Sequence, residues 1–146
     1  MVDGAPSKRT GDEEGLTAVI LAGGLGTRLR SVVADRPKAL AVVRGRPFLA
    51  YLFDQLSDAG IRQVVVCTGH HGRQISEAFG SAYRSLRLQY SHETSPRGTA
   101  GALRLALPSL ESELVLVMNG DSFCDTDLRT LLNWHVARHA KATVVL

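Results

Sequence analysis

Gly23, Gly24 and Gly26, followed by Arg28 and then by Pro37-Lys38, are residues whose types and spacing suggest chemistry. Glycine supplies positive φ at no steric cost and lets backbone N–H groups approach a ligand closely. Just upstream, Thr17 to Leu21 is an apolar, partly β-branched run of the length expected for a buried strand. Thr27 and Arg28 begin a helix-compatible stretch on the other side. A strand that enters a glycine turn and then a helix start collects unpaired N–H groups around one point, which favours phosphate. Arg28 within the turn and Lys38 ten residues later bracket that point with positive charge. Pro37 lacks an N–H and biases Arg36 toward an extended conformation, so Lys38 is expected on a rigid, non-helical segment. The combination suits a triphosphate.

Two standard glycine loops fail the comparison. The pattern G-x-G-x-x-G takes Gly24 and Gly26 but meets Leu29 at its third glycine. A P-loop needs Gly-Lys-Ser/Thr at its end, and this turn ends Gly-Thr-Arg. A second chemical group sits far along the chain, where the apolar run Leu114 to Met118 delivers Asn119-Gly120-Asp121. A carboxylate at the exit of such a strand is placed to hold a hard cation through oxygen. Asp125 and Asp127 suit a plainer role, capping the helix that follows.

The elements that must hold these groups alternate in type. Pro47 opens a helix in which Phe48, Leu49, Leu52, Phe53 and Leu56 recur at helical spacing, and Gly60 stops it. Gln63 to Thr68 is a buried strand carrying Cys67, and Gly72 to Phe79 a helix closed by Gly80. Leu86 to Tyr90 alternates apolar and polar residues as a half-buried strand does. The loop Ser91 to Gly98 leads to a small-residue helix from Thr99 to Leu107, ended by Pro108. Asp127 to His139 is a helix with Leu128, Leu131, Leu132 and His135 on one stripe, and Ala142 to Leu146 reads as the start of a strand. The alternation predicts an α/β fold with a predominantly parallel sheet covered on both faces. Ligands of such sheets bind beyond the carboxyl ends of the strands, where the glycine turn and Asp121 would both lie.

Length and composition narrow the class. The 146 residues fit one domain with a respectable core, and 45% hydrophobic with 21% charged residues is ordinary for a globular protein. A net charge of +3 from scattered rather than clustered arginines argues against nucleic acid as a partner. No apolar run approaches the roughly 20 residues that span a bilayer, so no membrane is expected. Residues 1–15 are polar and mixed in charge, which predicts a flexible tail or a start-site extension rather than a secretory signal. The two cysteines suggest no disulfide framework, and a reducing cytoplasm is the expected location. His135 and His139 lie one helical turn apart without a third ligand, His70-His71 lack an acidic partner, and Cys124 lacks an activating histidine. All are read as structural or surface residues.

Leu21-Ala-Gly-Gly-Leu-Gly-Thr-Arg-Leu29, with Pro37-Lys38-Ala-Leu40 after it, resembles the signature of the sugar-phosphate nucleotidylyltransferases. The resemblance extends over Leu16 to Leu146, and the Gly-Thr-Arg-Leu and Pro-Lys-x-Leu pair points to the sugar branch. The chain most resembles the heptose- and mannose-1-phosphate guanylyltransferases, and Gly24-Leu-Gly-Thr-Arg-Leu-Arg-Ser31 with Asn119-Gly-Asp-Ser-Phe123 and His92-Glu-x-x-x-x-Gly98-Thr99 is nearest to the heptose group. The resemblance implies a Rossmann-like three-layer α/β/α fold and the joining of a nucleoside triphosphate to a sugar 1-phosphate, with release of pyrophosphate. It implies that Arg28 holds the pyrophosphate part, that Lys38 lies near the α-phosphate and the sugar phosphate, and that Asp121 binds Mg2+. Leu21, Ala22, Gly23, Gly24, Gly26 and Thr27 would contact the nucleotide, and Glu93 with Gly98 and Thr99 would read its base. A carboxylate accepts hydrogen bonds only, and guanine offers adjacent N–H donors, so GTP is favoured.

Family members run on into segments that bind the sugar and usually add a second acidic metal ligand. Residues 16–146 are therefore expected to be the nucleotide-binding part of the domain, incomplete at its C-terminal end. The alternative expectation is a truncated, catalytically weak nucleotide-binding module with a regulatory or vestigial role. The resemblance leaves a homo-oligomer open.

Overall fold

A computed structural model describes residues 15–24 and 37–146. The expected contacts of Gly26, Thr27 and Arg28, and the expected tail, fall outside the described residues. Among the described residues seven strands and four α-helices follow one another: β1 (Leu16–Ala22), β2 (Val42–Val43), β3 (Arg46–Pro47), α1 (Phe48–Asp58), β4 (Gln63–Thr68), α2 (Gly72–Phe79), β5 (Ala82–Tyr83), β6 (Leu86–His92), α3 (Gly98–Ala106), β7 (Leu114–Asn119) and α4 (Leu128–Ala137).

Five strands form the main sheet in the order β5-β6-β4-β1-β7, and β2 with β3 makes a separate hairpin. β6, β4, β1 and β7 run parallel, and the short β5 is an antiparallel edge on β6. Every parallel strand therefore ends on the same side. The register brings Leu21 beside Cys67 on one flank and beside Asn119 on the other.

Alternation along the strands divides the core in two. Ala18, Ile20, Val64 and Val66 pack with Leu49, Leu52, Phe53 and Leu56 of α1, Ile75 of α2 and Leu128 of α4. Val19, Val65 and Cys67 turn to the opposite face and meet Ala102 and Ala106 of α3. The fold is thus the three-layer α/β/α arrangement with a mainly parallel sheet. Small residues on α3 let it lie close to the sheet, while the bulkier face of α1 fills the deeper side. Phe53 anchors that side, with Phe79 edge-on at 5.0 Å and Tyr83 at 5.3 Å. Full burial of a side chain of this size contributes roughly 1.5–3 kcal/mol.

Two local expectations need correction. Lys38 does not sit on a non-helical segment, since Lys38–Leu40 form a 3-10 turn. Pro37 is itself extended, with φ −58 and ψ 143, and its carbonyl accepts from Leu40 N at 2.9 Å to start the turn. Residues 142–146 form no strand. Strand propensity is expressed against a pairing edge, and this segment instead hangs from α4 through His135 Nδ1 and Thr143 Oγ1, 2.8 Å apart. No helix among the described residues is long and apolar enough to cross a membrane.

Candidate functional site

A cleft of about 430 Å³ opens at the carboxyl ends of the parallel strands. Leu21, Ala22, Gly23 and Gly24 line it from β1 and its exit, Lys38 from the 3-10 turn, and Asp121 from the exit of β7. Glu93, Gly98 and Thr99 close it from the segment joining β6 to α3. Nine of the residues expected at the site from sequence are therefore brought to one cleft, although they come from four separate stretches of chain.

Two glycines let the strand ends converge. Gly120 N donates to Leu21 O at 2.9 Å, and a Cβ at Gly120 would stand 2.9 Å from that oxygen and 3.0 Å from Ala22 Cβ. Only a residue without a side chain allows β7 to press so closely on β1, which is what brings Asp121 beside the glycine turn. Gly69, after β4, does the same on the other flank: an added Cβ would lie 2.6 Å from Gly23 O.

Lys38 is held from beneath. Ala39 is buried in the core against α1, and Ala41 O accepts from Phe48 N at 2.8 Å. The Lys38 ammonium reaches across to Asp121, with Nζ 3.9 Å from Oδ2. Asp121 is mostly exposed and Lys38 is not, so this is a loose pair at a cleft mouth. Screening by water keeps such a pair weak, at about 0–1 kcal/mol.

Glu93 is almost fully buried, at 8% exposure. Its N–H donates to Thr68 O at 2.8 Å, and its Oε2 accepts from Arg97 N, also at 2.8 Å. A Cβ added at Gly23 would come within 2.9 Å of Oε1, so the second oxygen lies against the glycine turn. The carboxylate thus braces the loop before α3 with one oxygen and borders the cleft with the other. Its negative charge adds to the effect of burial in pushing the Cys67 thiol up to about 11.

Sequence reasoning passed over Arg97, Asn119 and Gly69. Arg97 lines the cleft just before Gly98, and its stem lies over Gly101, where a Cβ would meet Arg97 Cβ at 2.5 Å. The signal in the sequence is a cation directly ahead of the Gly98-Thr99 pair, a weak one because arginines are mostly solvated. Asn119 also lines the cleft, as the last residue of β7. Among the described residues no group of three His, Cys, Asp or Glu could hold a metal ion.

Chemically, the cleft offers an ammonium, a guanidinium, a carboxylate at a strand exit and a glycine turn within one concavity. That set can bind a polyanion and a cation together.

Residues 17–146 match the family described as nucleotidyl transferase. The chain is similar to a D-glycero-alpha-D-manno-heptose 1-phosphate guanylyltransferase of Aneurinibacillus thermoaerophilus, 40% identical over 131 residues, covering 90% of this chain and 57% of that protein. It is 36% identical over 136 residues to the mannose-1-phosphate guanylyltransferase catalytic subunit beta of Drosophila melanogaster, covering 90% of this chain and 37% of that one. Among solved structures, HddC from Yersinia pseudotuberculosis complexed with GMP-PN superposes with a TM-score of 0.74 at 32% identity, over 82% of this chain and 54% of that one. The chain spans about half the length of the first of these relatives, and less of the second.

Proposed function

The chain belongs to the nucleotidyl transferase family, and on that premise we propose that it joins GTP to a sugar 1-phosphate of the heptose or mannose type. The observation that carries this reading is the single cleft shared by the β1 glycine turn, Lys38, Asp121 and the Glu93–Thr99 loop. The names of the similar proteins, guanylyltransferases of heptose and mannose 1-phosphates, support both the sugar class and the base.

In the proposed reaction a phosphate oxygen of the sugar 1-phosphate attacks the α-phosphorus of GTP in line. The new O–Pα bond forms as the bond from Pα to the bridging oxygen breaks, and pyrophosphate departs with that oxygen. Little covalent chemistry falls to the protein, so its work is positioning and charge neutralisation. Lys38 binds near the α-phosphate, where the incoming sugar phosphate also arrives, and keeps two anions from repelling each other. Arg28, by sequence, holds the pyrophosphate portion, for which a planar fork of donors is suited. Gly23 and Gly24 present backbone to the phosphates, and Glu93 Oε1 accepts from guanine N–H groups while Gly98 and Thr99 support the ring.

The donor set fits Mg2+. That ion commonly takes one or two carboxylates, several waters and phosphate oxygens rather than a closed protein cage. Asp121 supplies one exposed carboxylate beside a cation that would itself contact phosphate. Asp121 would hold the ion, which when bound would supply positive charge against the negative charge that develops on the phosphates. Residues 16–146 are on this reading the nucleotide-binding part of the transferase domain. Cys67 and Cys124, both free thiols, support a cytoplasmic setting.

The test is the purified chain with Mg2+, each of GTP, UTP, CTP and dTTP, and heptose and mannose 1-phosphates, followed by pyrophosphate release and by equilibrium nucleotide binding. GTP-dependent pyrophosphate release supports the full reading. GTP binding without release supports a nucleotide-binding module, and failure to bind any triphosphate overturns both.

A further inference from the structure

Helix α1 bonds to the chain just after Lys38 and to the chain just after Asp121. At its start, Phe48 N–H grips the carbonyl of Ala41, just beyond the turn that carries Lys38. Further along the same helix, Gln55 Nε2 donates to Cys124 O at 2.8 Å and to Thr126 O at 3.2 Å. These two carbonyls belong to the loop between Asp121 and α4. The loop is tight there, because Thr126 N also donates to Cys124 O at 2.9 Å. Upstream, Gly120 N ties the other end of the loop to β1.

Gln55 is poorly explained as a stabilising residue. Its Oε1 is buried and accepts no hydrogen bond among the described residues. A buried acceptor without a donor is a net cost, which an apolar side chain of similar length would avoid. What an apolar side chain lacks is an amide NH2, whose two N–H groups match two carbonyls.

We propose that Gln55 is a positioning residue, the clamp by which α1 fixes the loop after Asp121 and so sets the Asp121 carboxylate opposite Lys38. The role of Asp121 as a cation ligand rests on the proposed function; the clamp itself is a matter of hydrogen bonds already described. One rigid helix then carries the ammonium side of the cleft at its first turn and the carboxylate side near its end. The spacing of the two charges follows from one element rather than from two mobile loops.

Two variants of the full chain separate this from a merely structural role. Gln55→Leu keeps bulk and removes both donors. Gln55→Glu keeps shape, removes both donors at neutral pH, and regains one O–H donor on protonation, which the two facing carbonyls favour by raising its pKa. Two quantities are measured: affinity for Mn2+ with GTP, and amide hydrogen exchange across residues 121–126. At pH about 7.5 both variants should bind Mn2+·GTP at least about tenfold more weakly, the usual loss when a group behind a metal ligand is removed. Their loop amides should exchange faster while the β1 and β4 amides stay protected. As the pH falls toward about 5, into the range of a raised glutamate pKa, Gln55→Glu should move back toward wild type in both quantities and Gln55→Leu should not. Wild-type exchange in the loop of either variant at pH about 7.5, or no recovery of Gln55→Glu on acidification, overturns the clamp. Wild-type chain that fails to bind Mn2+·GTP overturns the proposed function instead, and the exchange data then judge the clamp alone.

Discussion

Lys38 Nζ and Asp121 Oδ2 stand 3.9 Å apart, although the two residues are carried by different elements and separated by most of the domain. The pair sets the chemistry the cleft can do. On the proposed function, Lys38 would take an anionic phosphate oxygen and Asp121 the accompanying cation, and the two charges are close enough to serve one phosphate. Removing either partner costs the fold little, because the pair is solvated on the Asp121 side.

Lys38→Ala and Asp121→Asn should therefore separate binding from stability. Each should weaken Mg2+·GTP binding or turnover by a few kcal/mol, the usual value of a charged contact to a transferring phosphate. Only Asp121→Asn should flatten the dependence on Mg2+ concentration. Calorimetric titration checks binding and thermal melts check the fold. Wild-type affinity in both variants removes these residues from the site.

Gly120→Ala acts on the same pair through the backbone. The added methyl would meet Leu21 O at 2.9 Å and Ala22 Cβ at 3.0 Å, contacts that only a shift of β7 relieves. Overpacking of this kind typically costs about 1–3 kcal/mol. A lowered denaturation midpoint with weakened Mg2+·GTP binding is expected, and Gly69→Ala, 2.6 Å from Gly23 O, should behave likewise. Unchanged stability in both variants would mean that the strand ends are not tightly apposed.

Much of this was legible in the chain because local signals agreed with one another. Gln63 to Thr68 is largely β-branched and apolar and is buried along nearly its whole length, and the helix Gly72–Phe79 is closed by Gly80, at φ 63, as expected. The shared position of the cleft residues was legible because the glycine turn and the Asp121 carboxylate each follow a strand, and parallel strands end on one side. What escaped depends on non-local geometry. The backbone approach of Gly69 to Gly23 exists only because β1 and β4 are neighbours. Arg97 looks like any surface cation until α3 is packed on the sheet. Residues 142–146 have strand composition but no paired edge, and no sequence pattern distinguishes the two cases.

The two thiols should react at different rates. Burial, with Glu93 nearby, pushes Cys67 up to about 11, while Cys124 is exposed. A thiol-reactive dye at mild alkaline pH should label Cys124 fast and Cys67 only on unfolding. An unfolded cysteine ionises near pH 8.5, so above that pH the unfolded chain has lost a proton that the folded chain keeps. Stability is then unaffected by Cys67 below about pH 8.5 and falls as the pH rises toward about 11. Cys67→Ala should remove that part of the alkaline slope. Equal labelling rates for the two cysteines would contradict the burial of Cys67.

Glu93 carries two tasks, and three substitutions can divide them. Its Oε2 accepts the Arg97 N–H at 2.8 Å, which holds the loop ahead of α3, and its Oε1 faces the glycine turn, where the base is proposed to lie. Glu93→Gln keeps one acceptor for Arg97 but replaces the other oxygen with an NH2, which would oppose the N–H groups of guanine. Losing a charged acceptor against paired donors costs roughly 1.5–3 kcal/mol, so GTP affinity should fall toward that of UTP with little change in melting temperature. Glu93→Ala removes both acceptors, leaving Arg97 N–H without its partner, and should lower stability as well as GTP affinity. Arg97→Ala keeps the N–H, hence the loop, and should weaken all triphosphates alike, since a cation at the cleft reads charge rather than base. Parallel binding curves for four triphosphates, with melts on the same samples, distinguish the three patterns. If wild-type protein shows equal affinity for GTP, UTP, CTP and dTTP, Glu93 serves the loop alone and the base is chosen elsewhere.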